Sequence, residues 1–174
     1  MFSQTVQDAI NEQINNELMA SYAYLAMSCY CERQNFLGAA SWLRIQSQEE
    51  YGHAMRLVDF LSARSGTIKL KAVPEPSDKF KSIAEVFEQA MKQEQEVSAK
   101  IDQLYELALK EKAFAALVQL QWFITEQVEE ERTSREIVAK FHLLKDDPAA
   151  LLDLDRELAT RGKSKSGVVP AEGM

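Results

Sequence analysis

The chain has 174 residues, 46% hydrophobic and 27% charged, which suits one soluble globular domain. No apolar run approaches the length of a membrane span. The net charge of −7 and the lack of a basic patch in the body argue against nucleic acid and favour cations as partners; Lys163 and Lys165 in a short tail are too few to change this.

In chain order, the N-terminal Met1-Phe2-Ser3-Gln4-Thr5 has neither the basic nor the apolar region of a signal peptide, and leaves open a targeting peptide removed before this numbering begins. With only 6 Gly and 4 Pro, long stretches run without a helix breaker. A first helix is expected over 3–32, ending in the polar patch Arg33-Gln34-Asn35. On it, Cys29 and Cys31 point to different faces and cannot pair with each other, so a reducing, cytoplasmic setting is expected. A second helix is expected over 38–65, with Gly66 as its C′ residue. A connection over 67–81 carries Val73-Pro74-Glu75-Pro76. Ser82-Ile83-Ala84-Glu85 matches a capping box and opens a third helix running to Lys110. A break at Glu111-Lys112 leads to a fourth helix over 113–144. Asp147-Pro148 opens a short fifth helix, with Asp as N-cap and Pro at the first helical position, ending near Arg161. Residues 1–161 are thus expected as one domain and 162–174 as a disordered tail.

Short breaks make antiparallel neighbours of helices one and two, and of three and four. The middle connection of 15 residues can cross roughly 50 Å when extended at ~3.3 Å per residue. That exceeds the ~42 Å of a long helix. The expected architecture is all-α: a four-helix bundle of two hairpins joined by one long crossover, plus the fifth helix. The alternating strip Thr67-Ile68-Lys69-Leu70-Lys71-Ala72 could pair with a copy of itself across a dimer.

Each long helix carries a seam stepping by three and four residues. They read Ile10, Ile14, Glu17, Ser21, Tyr24, Ser28; Leu43, Gln46, Glu50, His53, Leu57, Phe60; Ile83, Phe87, Ala90, Glu94, Val97, Ile101, Leu104, Ala108; and Leu120, Phe123, Gln127, Glu130, Ser134, Ile137, Phe141. Four apolar seams are interrupted near their middles by acid. A bare buried carboxylate costs several kcal/mol, so Glu17, Glu50, Glu94 and Glu130 together demand protonation or a metal. Glu50-x-x-His53 places both side chains on one face. Oxygen ligands with one imidazole suit iron or manganese better than a thiolate-seeking metal. A di-iron carboxylate bundle uses one Glu from each of two helices and a Glu-x-x-His from each of the others. Glu17 and Glu94 supply the former and Glu50 with His53 one of the latter, but the fourth helix has Gln127 and Glu130. Two unequal positions are therefore expected, one held by Glu17, Glu50 and His53, the other by Glu50, Glu94 and Glu130, with Glu50 bridging. Gln127 is expected to hydrogen-bond a bound water or oxygen species. Glu49, Glu126 and Glu129 could form a third, weaker cation site. Singly, Glu50 and His53 read as an ion pair on a helix surface; the coincidence of four seams favours the metal.

Glu17, Tyr24, Glu49-Glu50-x-x-His53, Glu94, Trp122 and Glu126-Gln127-x-Glu129-Glu130 together resemble the non-haem ferritins, the bacterial type with a third iron site above all, over residues 3–161. The resemblance implies a ferritin-like fold, and a ferroxidase that binds two Fe(II) ions per subunit with a possible third. It implies oxidation by O2 or H2O2 and storage of Fe(III) mineral inside a homo-oligomeric cage of 24 subunits. Tyr24 would sit beside the centre and donate an electron and a proton, as could Trp122. Haem is not expected, because Gln127-x-x-Glu130 and Tyr51 stand where bacterioferritins carry a second Glu-x-x-His and a haem-binding Met. Leu117 and Leu120 replace the carboxylates that line the threefold pore of animal ferritins, so a different iron route is implied. The alternatives are a soluble di-iron oxidase or peroxidase without storage, which leaves the fifth helix unexplained, and a structural bundle, which leaves the four acids unexplained.

Overall fold

The computed structural model describes residues 2–144 and 147–161, so the expected tail at 162–174 lies outside the described residues. The described residues form five helices and no strand: α1 (Gln4–Arg33), α2 (Leu37–Ala63), α3 (Ile83–Lys110), α4 (Phe114–Leu144) and α5 (Pro148–Leu158). α1 packs against α2 and α3 against α4, α1 also meets α3, and α5 lies against α2 and α4. The expected two hairpins and crossover are thus present. No described helix is long and apolar enough to cross a membrane.

The helix starts follow the sequence signals. Ser3 Oγ accepts from Val6 N at 3.3 Å and Asp147 Oδ1 from Ala149 N at 2.9 Å, with Pro148 in the first turn. At α3, Glu85 N donates to Ser82 Oγ at 3.1 Å, and the Glu85 carboxylate accepts from Lys81 N, one residue before the cap. Such bonds satisfy amides that the first turn leaves without helical partners.

The ends of α1, α2 and α3 share one device that involves no glycine at the turning residue. Asn35, Ser65 and Lys112 have φ of 62°, 56° and 54°. After each, the next amide reaches back to a helix carbonyl: Phe36 to Cys31 at 3.0 Å, Gly66 to Leu61 at 2.9 Å and Ala113 to Ala108 at 2.8 Å. These are Schellman closures. The expectation for Gly66 is corrected by one residue: Ser65 takes the left-handed position and α2 ends at Ala63. Gly66 lies close against Leu61 instead: a Cβ there would lie 2.3 Å from Leu61 Cδ1, and that side chain would have to shift.

The crossover is held by side chains of α1. Asn11 Nδ2 donates to Thr67 O at 2.8 Å and Asn11 Oδ1 accepts from Lys69 N at 2.7 Å. Asn15 repeats this one turn on, donating to Lys69 O at 2.9 Å and accepting from Lys71 N at 2.7 Å. Two asparagines thus pair with one edge of the 67–71 strip as a neighbouring strand would.

α5 is docked by a carboxylate that caps another helix. α2 has no side-chain cap of its own at Phe36. Asp155 of α5 accepts from Gly38 N at 3.1 Å and Ala39 N at 2.8 Å. A Cβ on Gly38 would meet Asp155 O at 1.7 Å, so only glycine admits this approach.

The core has two apolar halves. One gathers Met27, Leu43, Phe87, Phe141 and Leu154, the other Ile10, Leu57, Ile101, Leu104 and Leu120. On every long helix the buried acids fall between the residues of these two halves, which places them across the waist of the bundle.

Candidate metal centre

All four seam glutamates are buried: Glu17, Glu50 and Glu94 are 0% exposed and Glu130 is 6% exposed. His53 and Gln127 are buried with them. Of the seam residues, Ser21 and Phe60 are only partly buried. Ser21 and Ser47 each donate a hydroxyl to the other's carbonyl, both at 2.7 Å, bringing α1 close to α2.

Glu17, Glu50 and His53 present ligand atoms that all lie within 4.8 Å of one another, and they are the one such group among the described residues. Glu17 Oε1 accepts from Gln13 Nε2 at 2.8 Å, while its Oε2 is buried without a hydrogen-bond partner. Glu50 Oε1 accepts a long bond from Gln46 at 3.3 Å; its Oε2 has no hydrogen bond and lies 3.4 Å from His53 Nδ1. Neither oxygen meets a fixed donor, so in this buried place each needs either a proton shared between Glu17 and Glu50 or a cation. A divalent cation would satisfy both oxygens and take the ring nitrogen as a third ligand.

Neither of the other two glutamates leaves a buried oxygen without a partner. Glu94 accepts from the Tyr24 hydroxyl in a short hydrogen bond and from Gln127 Nε2 at 3.2 Å. Gln127 also reaches Glu94 O and Ser98 Oγ, each at 3.3 Å, so its amide is directed onto α3. Glu130 accepts from Gln46 Nε2 at 2.9 Å. Glu94 and Glu130 therefore lie in the same buried layer without converging on the Glu17, Glu50 and His53 group.

Electrostatics reflect this crowding. Burial, then the charge of Glu50, pushes Glu17 up to about 8. Burial, then Glu94, pushes Glu130 up to about 7. Burial also raises Glu50, far above the usual range, and Glu94. Tyr24 is raised too, by burial and then by Glu94 and Glu50, so its phenol stays protonated and donates to Glu94. The metal-free layer thus holds protons at neutral pH that a cation would release.

The residues expected at a third position are dispersed. Glu49 Oε2 accepts from Arg161 Nη2 at 2.6 Å. Glu126 is half-buried, and exposed Glu129 pairs with Arg132. They do not gather round one point among the described residues. Trp122 packs edge-on to His53, ring centroids 5.3 Å apart, with the Arg56 guanidinium 4.1 Å from its own centroid. Leu120 is buried in the apolar core and Leu117 packs against it.

Gln13, Gln46, Arg56 and Arg161 escape a reading based on ligand spacing. Gln46 is on the seam and wholly buried, which signals an internal partner, but that the partner is Glu130 of α4 needs the fold. Gln13 lies one turn before Glu17, a spacing that permits their bond. Arg161 follows α5 and has no local signal.

The ferritin-like domain family matches residues 7–144 of the chain. This chain belongs to the ferritin family. Among the family's members, a bacterial non-heme ferritin of Staphylococcus haemolyticus is 36% identical over 161 residues, covering 92% of this chain and 97% of that one. One from Staphylococcus aureus is 35% identical over the same length and coverage. In three dimensions, an open-pore ferritin from the hyperthermophilic archaeon Archaeoglobus fulgidus superposes with a TM-score of 0.91 at 42% identity, covering 92% of this chain and 99% of that one. An engineered closed form of that ferritin matches with a TM-score of 0.91 at 43% identity, with coverage of 92% and 98%. The ferritin-like fold anticipated from the seams and the crossover is thereby established.

Proposed function

We propose that the chain is a ferroxidase that binds Fe(II) in the buried carboxylate layer, oxidises it with O2 or H2O2, and stores the Fe(III) product as mineral inside a cage of 24 copies. The observation that carries this reading is the pair of buried, unpartnered oxygens on Glu17 and Glu50 beside His53. Family membership supports storage over a free-standing oxidase, and the docked α5 gives each chain an element that an isolated bundle does not need. A cytoplasmic setting, with no haem, completes the proposal.

Iron is the substrate here. One ion is taken by Glu17, Glu50 and His53, and the second by Glu94 and Glu130, with Glu50 shared. Two Fe(II) ions each lose one electron. Together these reduce one O2, with two protons, to H2O2, or one H2O2, with two protons, to two waters. The chain contributes placement, holding both ions where one oxidant can reach them. Carboxylates favour the more highly charged Fe(III), which drives the electron loss. When only one Fe(II) is bound, Tyr24, hydrogen-bonded to Glu94, can supply the second of the two electrons to the oxidant while its proton passes to that carboxylate.

The combined variant Glu50→Ala, His53→Ala tests the assignment. It removes the shared carboxylate and the only imidazole from the group while shortening two buried polar side chains. Rapid Fe(II) oxidation should disappear, and the metal-free chain should remain folded and helical by circular dichroism. Retention of the wild-type oxidation rate would contradict the assignment.

A further inference from the structure

Arg161 is placed where its chemistry has no part in the mechanism above. Asp155, through Gly38 and Ala39, and the buried Leu154 and Leu158 already anchor α5 to α2 and the core. Just beyond that anchor, Arg161 runs along one stripe of α2 formed by Trp42, Gln46 and Glu49. Its guanidinium lies 4.2 Å from the Trp42 ring centroid. Nη1 donates to Gln46 Oε1 at 2.7 Å and Nη2 to Glu49 Oε2 at 2.6 Å. The side chains of Arg161 and Glu49 are only 18% and 22% exposed, so the pair is shielded more than a surface ion pair. Gln46 passes the contact inward, because its Nε2 donates to Glu130 at 2.9 Å and to Glu50 at 3.3 Å. Arg161 thereby fixes which end of the Gln46 amide faces the carboxylate layer.

We infer that Arg161 is a displaceable counter-cation at the Glu49 edge of the centre: it holds Glu49 and the Gln46 amide in the metal-free chain, and an ion that takes Glu49 has to move it aside. The inference rests on the ferroxidase reading above and on the expectation from the sequence that Glu49, with Glu126 and Glu129, offers a third, weaker cation position beside it. It accounts for the placement of Glu49, whose carboxylate is bonded to a planar guanidinium stacked on Trp42, while Glu129 is held separately by Arg132. It also makes the third position weaker than the Glu17, Glu50 and His53 position, which has no charge-assisted bond to an arginine to break.

The test is a calorimetric titration of the metal-free, full-length assembly with Zn(II), which binds oxygen and imidazole ligands without redox chemistry. A Trp122→Phe background leaves Trp42 as the sole fluorescent indole. Tight steps followed by a weaker step are expected, with Trp42 emission changing only in the weaker one as the guanidinium leaves the ring. Arg161→Gln should tighten the weaker step about tenfold, abolish its emission change, and leave the tight steps in place. Arg161→Lys, which keeps the charge but loses the fork and the stacking, should fall between. Glu49→Gln should remove the weaker step whichever residue stands at 161. A weaker step of unchanged or lower affinity in Arg161→Gln overturns the inference, as does loss of the tight steps, which would make Arg161 a structural strut. Absence of any tight step in the wild-type chain overturns the metal-centre reading as well, so the two failures are distinguishable.

Discussion

Replacing Glu17 with Gln removes an ionisable group from the waist while keeping its shape and its bond from Gln13. The Glu17 carboxyl is raised from 4.5 to about 8, chiefly by burial and next by Glu50. The folded metal-free chain therefore keeps a proton there that the unfolded chain gives up. Below pH 4.5 both states are protonated and the group sets no pH trend. As pH climbs through about 8, the unfolded state binds fewer protons than the folded state and stability is lost. At ~1.36 kcal/mol per unit of pKa, the whole loss is on the order of 5 kcal/mol per chain, and about 3 kcal/mol of it is reached by pH 7. Glu17→Gln should cancel that loss. Denaturant unfolding of metal-free wild-type and variant protein, at one fixed protein concentration because association adds to stability, should give coincident midpoints near pH 4. The curves should then separate in the variant's favour up to about pH 8. Saturating Zn(II) should reverse the order, since the variant lacks a ligand. A difference that is constant with pH, or a wild-type chain more stable than the variant at pH 8 without metal, would refute the burial argument.

Other parts of the centre give separate expectations. Glu130→Ala should spare divalent-cation binding at Glu17, Glu50 and His53 but abolish rapid paired oxidation in stopped-flow absorbance; unchanged kinetics would remove Glu130 from the second position. Tyr24→Phe should leave the iron stoichiometry intact and eliminate any tyrosyl radical trapped by freeze-quench electron paramagnetic resonance. Gly38→Ala should push α5 away from α2, since its Cβ would collide with Asp155 O. Such overpacking costs roughly 1–3 kcal/mol. Amide exchange within residues 148–158 should then accelerate while that of α3 does not, and equal protection in both proteins would show that α5 docks by another route.

The seams were legible in the amino-acid order because burial of one helical face imposes a period that acid cannot share without a reason. The layer of Glu17, Glu50, Glu94 and Glu130 is buried as that period implies. The starts of α3 and α5 were legible for a similar reason, as Ser82 and Asp147 offer side-chain acceptors where the first turn lacks them. The helix ends were less so. Asn35, Ser65 and Lys112 adopt a left-handed backbone that glycine ordinarily advertises, and Gly66 stands one residue away for a packing reason. Contacts made by glutamine and arginine across elements were not legible at all. Gln46 and Glu130 are 84 residues apart and meet only because α2 and α4 share one bundle, while Gln46 and Arg161, 115 apart, meet only because α5 docks on α2. Asn11 and Asn15 are a further case: in sequence they are two polar residues on a helix, and in the fold they hold the crossover.

The most direct test of the account is an aerobic Fe(II) titration of the purified, metal-free assembly, counting iron oxidised rapidly and iron kept in solution per chain. The account predicts a fast phase of about two to three irons per chain, followed by retention of far more. A fast phase that stops at about two, with no retention, would leave a di-iron oxidase and contradict storage. The absence of any fast phase would contradict the central claim that the buried glutamates and His53 form a working iron centre.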